Sequence, residues 1–165
     1  MSNLINSKLT LIIVMVWGLY SCTNTHYYIV RHSEKSTIPI ADPELTLEGK
    51  KRAEKLKEIL KSKDIQQIFS TKTVRTLNTA LPLAELINKE VKIYDAKNQN
   101  QFIEELKSSK NNTLVVGHSN TIRYIINGLS EKEVLSKDLE DSEYNFLFHV
   151  KINKKGRPKI AINHF

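Results

Sequence analysis

An α/β fold is what this sequence predicts, with a mostly parallel central sheet between helices in a three-layer α/β/α sandwich. Short β-rich runs alternate with amphipathic stretches from about residue 26 onward, and the links between them are short. The 165 residues suffice for one hydrophobic core and are too few for two ordinary ones. The alternation therefore belongs to a single domain, placed at residues 27–165.

The first strand is His26-Tyr27-Tyr28-Ile29-Val30, which runs straight into Arg31-His32. Residues 46–63 form an amphipathic helix, with Ala53, Leu56, Ile59 and Leu60 at helical spacing and Thr46 as N-cap. A short strand follows at 65–69. Residues 73–88 make a second helix with Leu77, Ala80, Leu81 and Ala84 on one face, and Pro82 is expected to kink or restart it. A strand at 91–94, a helix at 99–107 and a buried strand at 113–116 lead to Gly117-His118. The next helix spans 120–127 and is closed by Gly128. Ser130-Glu131-Lys132-Glu133 resembles a capping box that would open one more short helix. Two strands near 145–152 and 159–163, joined by the turn Asn153-Lys154-Lys155-Gly156, complete the chain.

The residues before this domain have a different character. Lys8 precedes an uncharged apolar run from Leu9 to Leu19, which would cover only about 16 Å as a helix, against a hydrocarbon core of about 30 Å. That length fits the apolar part of an export signal better than a permanent span. Leu19-Tyr20-Ser21-Cys22 then resembles a bacterial lipobox, so residues 1–21 read as a signal peptide and Cys22 as the lipid-modified residue. A buried N-terminal element with an ordinary free cysteine is the competing reading. The lipoprotein reading implies an exported protein held at the membrane of the cell envelope by a lipid anchor. Residues 22–26 would be the tether, reaching only about 13 Å at full extension. The anchor then lies at the amino end of the first strand, and the carboxyl end faces away from the bilayer.

Composition narrows the function classes. The single cysteine excludes an intramolecular disulfide, a Cys-based zinc site and a CxxC redox pair. The net charge of +7 implies attraction to anions. The lysines are dispersed, with short clusters only at Lys50-Lys51-Arg52 and Lys154-Lys155, and no aromatic residues interleave a basic patch. A solvated basic surface is the better reading, and no nucleic-acid partner is expected.

In folds of this class, sites lie beyond the carboxyl ends of strands. Arg31-His32, the residues from Ser70 onward, and Gly117-His118 all fall at such ends. Phosphoryl transfer through histidine needs a neutral imidazole to attack phosphorus, with cations to hold the phosphoryl oxygens. Arginine suits the second task because its planar fork is permanently charged. Arg31 stands beside His32, and Arg75 lies in the first turn of a helix, whose N-terminus also favours an anion.

Four segments carry a family resemblance. Arg31-His32-Ser33-Glu34 after a strand resembles the R-H-G-E motif of the histidine phosphatase superfamily, which includes phosphoglycerate-mutase-like enzymes. Leu45-Thr46-Leu47-Glu48-Gly49 resembles its L-T-x-x-G helix start. The segment from Ser70 to Ala80, containing Arg75 and Thr79-Ala80, resembles its second block. Val115-Val116-Gly117-His118-Ser119 resembles the block that carries its second histidine. The four occur in order between Tyr27 and about Val150.

The resemblance implies a phosphoglycerate-mutase-like sheet and a phosphohistidine intermediate on His32. Arg31, Arg75 and His118 would complete the phosphate pocket. Ser33 stands where the motif has glycine and could add a hydroxyl contact. Some branches place an acid after the second histidine, but this chain has Ser119-Asn120 there. Others place one after the third strand, where Asp95 is the candidate proton donor, with a solvated loop aspartate as the competing reading. Glu34 is a further donor candidate, although the resemblance implies more a structural partner than an acid at this position. His26, His149 and His164 have no spaced partners, and neither a metal nor another cofactor is expected.

The implied activity is a metal-independent phosphatase acting on a phosphorylated small molecule or on protein phosphohistidine. The alternative is a non-catalytic phosphate-binding or scaffolding lipoprotein that retains the pocket. No long insertion separates the four segments, so the site is expected to be open and shallow.

Overall fold

The computed structural model describes residues 24–165. The expected signal peptide and Cys22 lie outside the described residues. Six strands and four helices alternate: β1 (Thr25–Arg31), α1 (Leu47–Leu60), β2 (Gln67–Ser70), α2 (Val74–Leu86), β3 (Val91–Ile93), α3 (Gln99–Ser109), β4 (Thr113–Gly117), α4 (Ser119–Ser130), β5 (Phe146–Ile152) and β6 (Pro158–His164). β1 takes in Thr25 and His26, which pair with Ile152 and Lys151 and so belong to the sheet rather than to a tether.

The sheet order is β3-β2-β4-β1-β5-β6. β1, β2, β3 and β4 are mutually parallel, and β5 and β6 add an antiparallel edge. Side-chain alternation divides the core into two layers, since successive residues of a strand face opposite sides. Tyr27, Ile29, Val115 and Phe148 pack with α3 and α4 through Phe102, Leu106, Ile122 and Ile126. Tyr28, Val30, Leu114 and Leu147 pack with α1 and α2 through Leu56, Leu60, Leu83 and Ala84. This is the three-layer sandwich that the sequence predicts. The chain leaves β1 toward β2 on one side and β4 toward β5 on the other. The crevice between the carboxyl ends of β1 and β4 is thus the topological switch point, where α/β sheets bind ligands.

Local chemistry explains the helix boundaries. Thr46 caps α1 by accepting a hydrogen bond from the Gly49 amide at 3.1 Å. Helix α2 continues through Pro82 without restarting. The closing role expected of Gly128 is corrected: α4 runs past it to Ser130. A Cβ at Gly128 would lie 2.6 Å from Ile103 Cδ1, so this glycine serves the close approach of α3 to α4. The short helix expected from Ser130 is also absent. Ser130 is the last residue of α4, and Glu131 adopts the left-handed conformation (φ 54°) that ends it. The Asn127 side chain then holds the irregular segment, accepting from the Val134 and Leu135 amides and donating to the Leu135 carbonyl. No helix among the described residues is long and apolar enough to cross a membrane.

Candidate active site

The switch point gathers the strand-end residues. Beyond β1, the His32 amide donates to the Gly117 carbonyl at 2.9 Å, which carries the β1–β4 pairing one residue past the strand. Arg31, His32 and Ser33 are all buried, at 4, 3 and 1 % exposure. The His32 ring lies 5.5 Å from that of His118, edge to face, and 5.8 Å from that of Tyr144.

His32 is held in one tautomer. Its Nδ1 lies 2.8 Å from the Ser33 carbonyl oxygen, which can only accept, so Nδ1 carries the proton. Nε2 is then left with its lone pair. Burial lowers the imidazole pKa to about 3; the Ser33 bond opposes this, and the charges of Arg31, His118 and Arg75 add to it. The ring is therefore neutral at neutral pH.

His118 follows β4 and opens α4. Its Nε2 lies 3.0 Å from Thr71 Oγ1, and Thr71 Oγ1 donates in turn to Thr76 Oγ1 at 3.0 Å. That hydroxyl relay assigns the His118 proton to Nε2 and turns Nδ1 toward Arg75 Nη2, 3.5 Å away. Burial, then Arg75 and Arg31, lower this imidazole to about 4, while Asp42 acts in the opposite sense.

Thr79 ties the two arginine-bearing elements together. Its hydroxyl accepts from the Ser33 amide at 2.9 Å and donates to the Arg75 carbonyl at 2.8 Å, joining the end of β1 to the first turn of α2. Glu34 is clamped from outside the pocket by Arg52, with guanidinium contacts of 2.6 and 2.9 Å. Burial is the largest single influence and works against its charge, but the Arg52 hydrogen bonds, a backbone hydrogen bond and the Arg52 charge together hold the carboxyl below its ordinary range.

Two carboxylates that sequence reasoning missed sit on the pocket arginines. Asp42 accepts from the Val74 amide with both oxygens at 3.1 Å, capping α2 from another loop, and pairs with Arg75 at 3.3 Å. Asp141 pairs with Arg31 Nη2 at 2.9 Å, while Nη1 donates to the Glu140 carbonyl at 2.6 Å. The Arg31 guanidinium also lies 4.6 Å from the centre of the Tyr144 ring. Among the described residues, Arg31 Nε, Arg75 Nε and Ser33 Oγ are buried without a hydrogen-bond partner. Three such atoms around one imidazole form donor capacity suited to an oxyanion.

Asp95 has local partners. It is exposed in the turn before α3, where its carboxylate accepts from the Lys97 amide at 2.8 Å and the Asn98 side chain at 2.7 Å. The structure brings Arg31, His32, Ser33, Arg75 and His118 together and gives Asp95 a local capping role. No group of three or more His, Cys, Asp or Glu among the described residues is placed to hold a metal ion.

With this geometry in hand, comparison with known proteins is informative. Residues 27–98 match the family model of the histidine phosphatase superfamily (branch 1). The match takes in Arg31, His32, Arg75 and Asp95 and ends before His118. Comparison with curated protein sequences finds no match. Among solved structures, the chain is similar to the phosphoserine phosphatase of Entamoeba histolytica in complex with 3-phosphoglyceric acid. There the TM-score is 0.65 at 18 % identity, covering 86 % of this chain and 98 % of that one. It is also similar to the protein histidine phosphatase SixA complexed with tungstate, at TM-score 0.66 and 14 % identity over 85 % of this chain and 97 % of that one. A mycobacterial glucosyl-3-phosphoglycerate phosphatase with inorganic phosphate gives TM-score 0.66 at 13 % identity, covering 86 and 97 %. These likenesses establish the fold, a mixed α/β sandwich of the phosphoglycerate-mutase-like kind.

Proposed function

We propose that this protein is a metal-independent histidine phosphatase that uses His32 as the phosphoryl acceptor. One observation carries the reading: a buried, neutral His32 has Nδ1–H fixed on the Ser33 carbonyl and a free Nε2, within a ring of Arg31, Arg75 and His118. In the proposed reaction, Nε2 attacks phosphorus in line and the P–O or P–N bond to the leaving group breaks. The Ser33 carbonyl accepts from Nδ1–H while the ring carries positive charge. Arg31, Arg75 and Ser33 hold the phosphoryl oxygens. Water then attacks the phosphohistidine, releasing inorganic phosphate and restoring His32.

The proton needed by the leaving group favours one substrate class. Asp95 is occupied as a turn cap, and an alkoxide leaving group needs a donor more than an imidazole does. A phosphoramidate such as protein phosphohistidine is the better substrate on this argument, and a phosphomonoester the second. The occupied Asp95 is also what favours the alternative of a phosphate-binding protein without turnover. The intact acceptor and oxyanion donors favour the enzyme. We further propose that residues 1–21 are removed on export, that Cys22 carries lipid, and that the protein works in the cell envelope with its site directed away from the bilayer.

The test is turnover of p-nitrophenyl phosphate and of a phosphoramidate, in EDTA, by the wild type and His32→Ala. Release of phosphate that persists in EDTA and vanishes in the variant is the expected result, with the phosphoramidate turned over faster. Absence of turnover on both, with orthovanadate still bound, would establish the binding-protein reading instead.

A further inference from the structure

The two ends of the sheet differ in charge. At the end where the parallel strands begin, the link from α1 to β2 holds Lys61, paired with Glu58, and Lys63 against Asp64, and Lys110 follows α3. The β5–β6 turn at the same end presents Lys154, Lys155 and Arg157 with no acid among them, all three exposed. Lys89 and Glu90 balance each other in the α2–β3 link, and Glu131 and Glu133 past α4 subtract from the excess. At the opposite, site-bearing end the charges nearly balance: the acids of the β1–α1 link and of the segment entering β5 are offset by Arg31, Lys35, Lys72, Arg75 and Lys97 and by the Lys50-Lys51-Arg52 cluster near the start of α1. A basic pole and a nearly neutral one thus lie about one strand length apart, roughly 20 Å and more than a Debye length at physiological salt.

Residue 24 lies at the basic pole, where β1 begins. The sequence preceding it contains the uncharged run Leu9 to Leu19 and the lipobox-like cysteine, so whatever apolar group the chain carries is joined to that pole. We propose that the basic pole is a membrane-docking surface. The β5–β6 turn, with Lys63 and Lys110, rests on anionic phospholipid headgroups and fixes the domain upright, with His32 directed into the aqueous phase. The site-bearing end has no such excess of cations, so the charge distribution selects one orientation. A lipid anchor alone would leave the domain free to rotate about its tether. This inference concerns the folded domain's own surface and does not depend on the phosphatase reading.

The occupant follows from charge and from the departing chain together. A nucleic-acid site of this kind would want aromatic platforms among the cations, and the only aromatic among the exposed large hydrophobics of the described residues is Tyr124, on α4. An anionic bilayer needs only the clustered charge, each Lys or Arg near the surface adding to adhesion over about a Debye length.

Residues 24–165 contain both core layers and every strand, and they lack Cys22, so they test the surface without the tether. The experiment is sedimentation with vesicles of phosphatidylglycerol and phosphatidylcholine in equal parts, and with phosphatidylcholine alone. Binding to the anionic vesicles only is expected. The turn variant Lys154→Gln/Lys155→Gln/Arg157→Gln should weaken it by about a hundredfold. The equal-charge control Lys35→Gln/Lys97→Gln/Lys137→Gln, at the other pole, should weaken it less than about threefold. Thermal unfolding of both variants checks that the fold is kept. An environment-sensitive dye on Lys155→Cys should respond to the vesicles, and the same dye on Lys97→Cys should not. Equal losses in the two triple variants, a response from both dyes, or tighter binding to duplex DNA than to the vesicles would overturn the proposal.

Discussion

At the ends of β1 and β2, the residues Arg31, His32 and Thr71 are almost wholly buried, and His118 beyond β4 is partly so. The irregular segment entering β5 reaches the same pocket from outside, with Asp141 at 95 % side-chain exposure and a half-buried Tyr144. The two pocket imidazoles and both pocket arginines are positioned by strand ends and the helix turns next to them. The carboxylates that sit on those arginines come from loops. A rigid set of groups therefore lines the pocket, and a looser set covers it. Loops can change partners at little cost, whereas strand ends cannot.

The sharpest test of that difference is to remove a strand-end cation. Arg31→Ala should lower kcat/KM on a phosphoramidate by about a hundred- to a thousandfold, the usual effect of deleting one charged donor to a transition-state oxyanion. A loss below about tenfold would show that the strand end does not hold the phosphoryl group. The next effect concerns how the strand end is kept rigid. A Cβ at Gly49 would lie 2.2 Å from the Glu34 carbonyl oxygen, and that carbonyl also accepts from the Thr46 amide at 2.9 Å. Backbone cannot yield there as a flexible side chain could. Gly49→Ala should cost about 3 kcal/mol in urea unfolding, the upper end for overpacking, and should lower activity by displacing Glu34 and its neighbour Ser33.

The buried imidazoles also make stability depend on pH. His32 and His118 are less basic in the fold, at about 3 and about 4, than in the unfolded chain, at about 6.5. The unfolded state thus binds more protons below pH 6.5. The stabilisation is fully present above that value and is lost as pH falls toward the folded values. Going from pH 7.5 to pH 5 should cost on the order of 2 kcal/mol for each ring, read from the urea midpoint. His26 and His149, also lowered chiefly by burial, act in the same direction. Replacing His32 by Asn should flatten part of this dependence. An unchanged pH profile would mean that its ring is as solvated as in the unfolded chain.

How much of this was legible in the sequence follows the same division. The α/β layers were readable because residues such as Leu56 and Leu60, or Leu114 and Val116, repeat at helix or strand spacing, and one face of each element must be buried. The strand ends were readable because the class of fold places sites there, and Arg31-His32 and Gly117-His118 stand at two of them. The loops were not. Asp42 and Asp141 lie in segments without periodicity, and nothing local states that their carboxylates turn inward to meet Arg75 and Arg31. Thr79 stood inside a recognisable segment, yet its bond to the Ser33 amide spans 46 residues of sequence. Gly128 and Ser130 were misread for a related reason: both carry the local signature of a helix boundary, and the packing of α3 on α4 overrides the signature at Gly128. The position of Asp95 after β3 was legible as well, but its partners, Lys97 and Asn98, are set by the turn.

The smallest predicted effect bears most directly on the comparison. Asp141 holds Arg31 through a carboxylate that is almost fully in water, and exposed pairs contribute little. A phosphoryl dianion entering the pocket competes with Asp141 for the same guanidinium, whose Nε is buried and unpaired. Asp141→Asn removes the competitor and one negative charge at the mouth while leaving the Glu140 carbonyl contact in place. Inhibition by inorganic phosphate should therefore tighten by about two- to fivefold, with kcat nearly unchanged. The same change at Arg75 should be harder to obtain, because Asp42 also caps α2 and its removal would disturb the helix start as well as the pair. If phosphate instead binds more weakly to Asp141→Asn, the loop carboxylate orients Arg31 for the phosphoryl group rather than competing for it. The segment entering β5 would then belong with the strand ends as part of the fixed pocket.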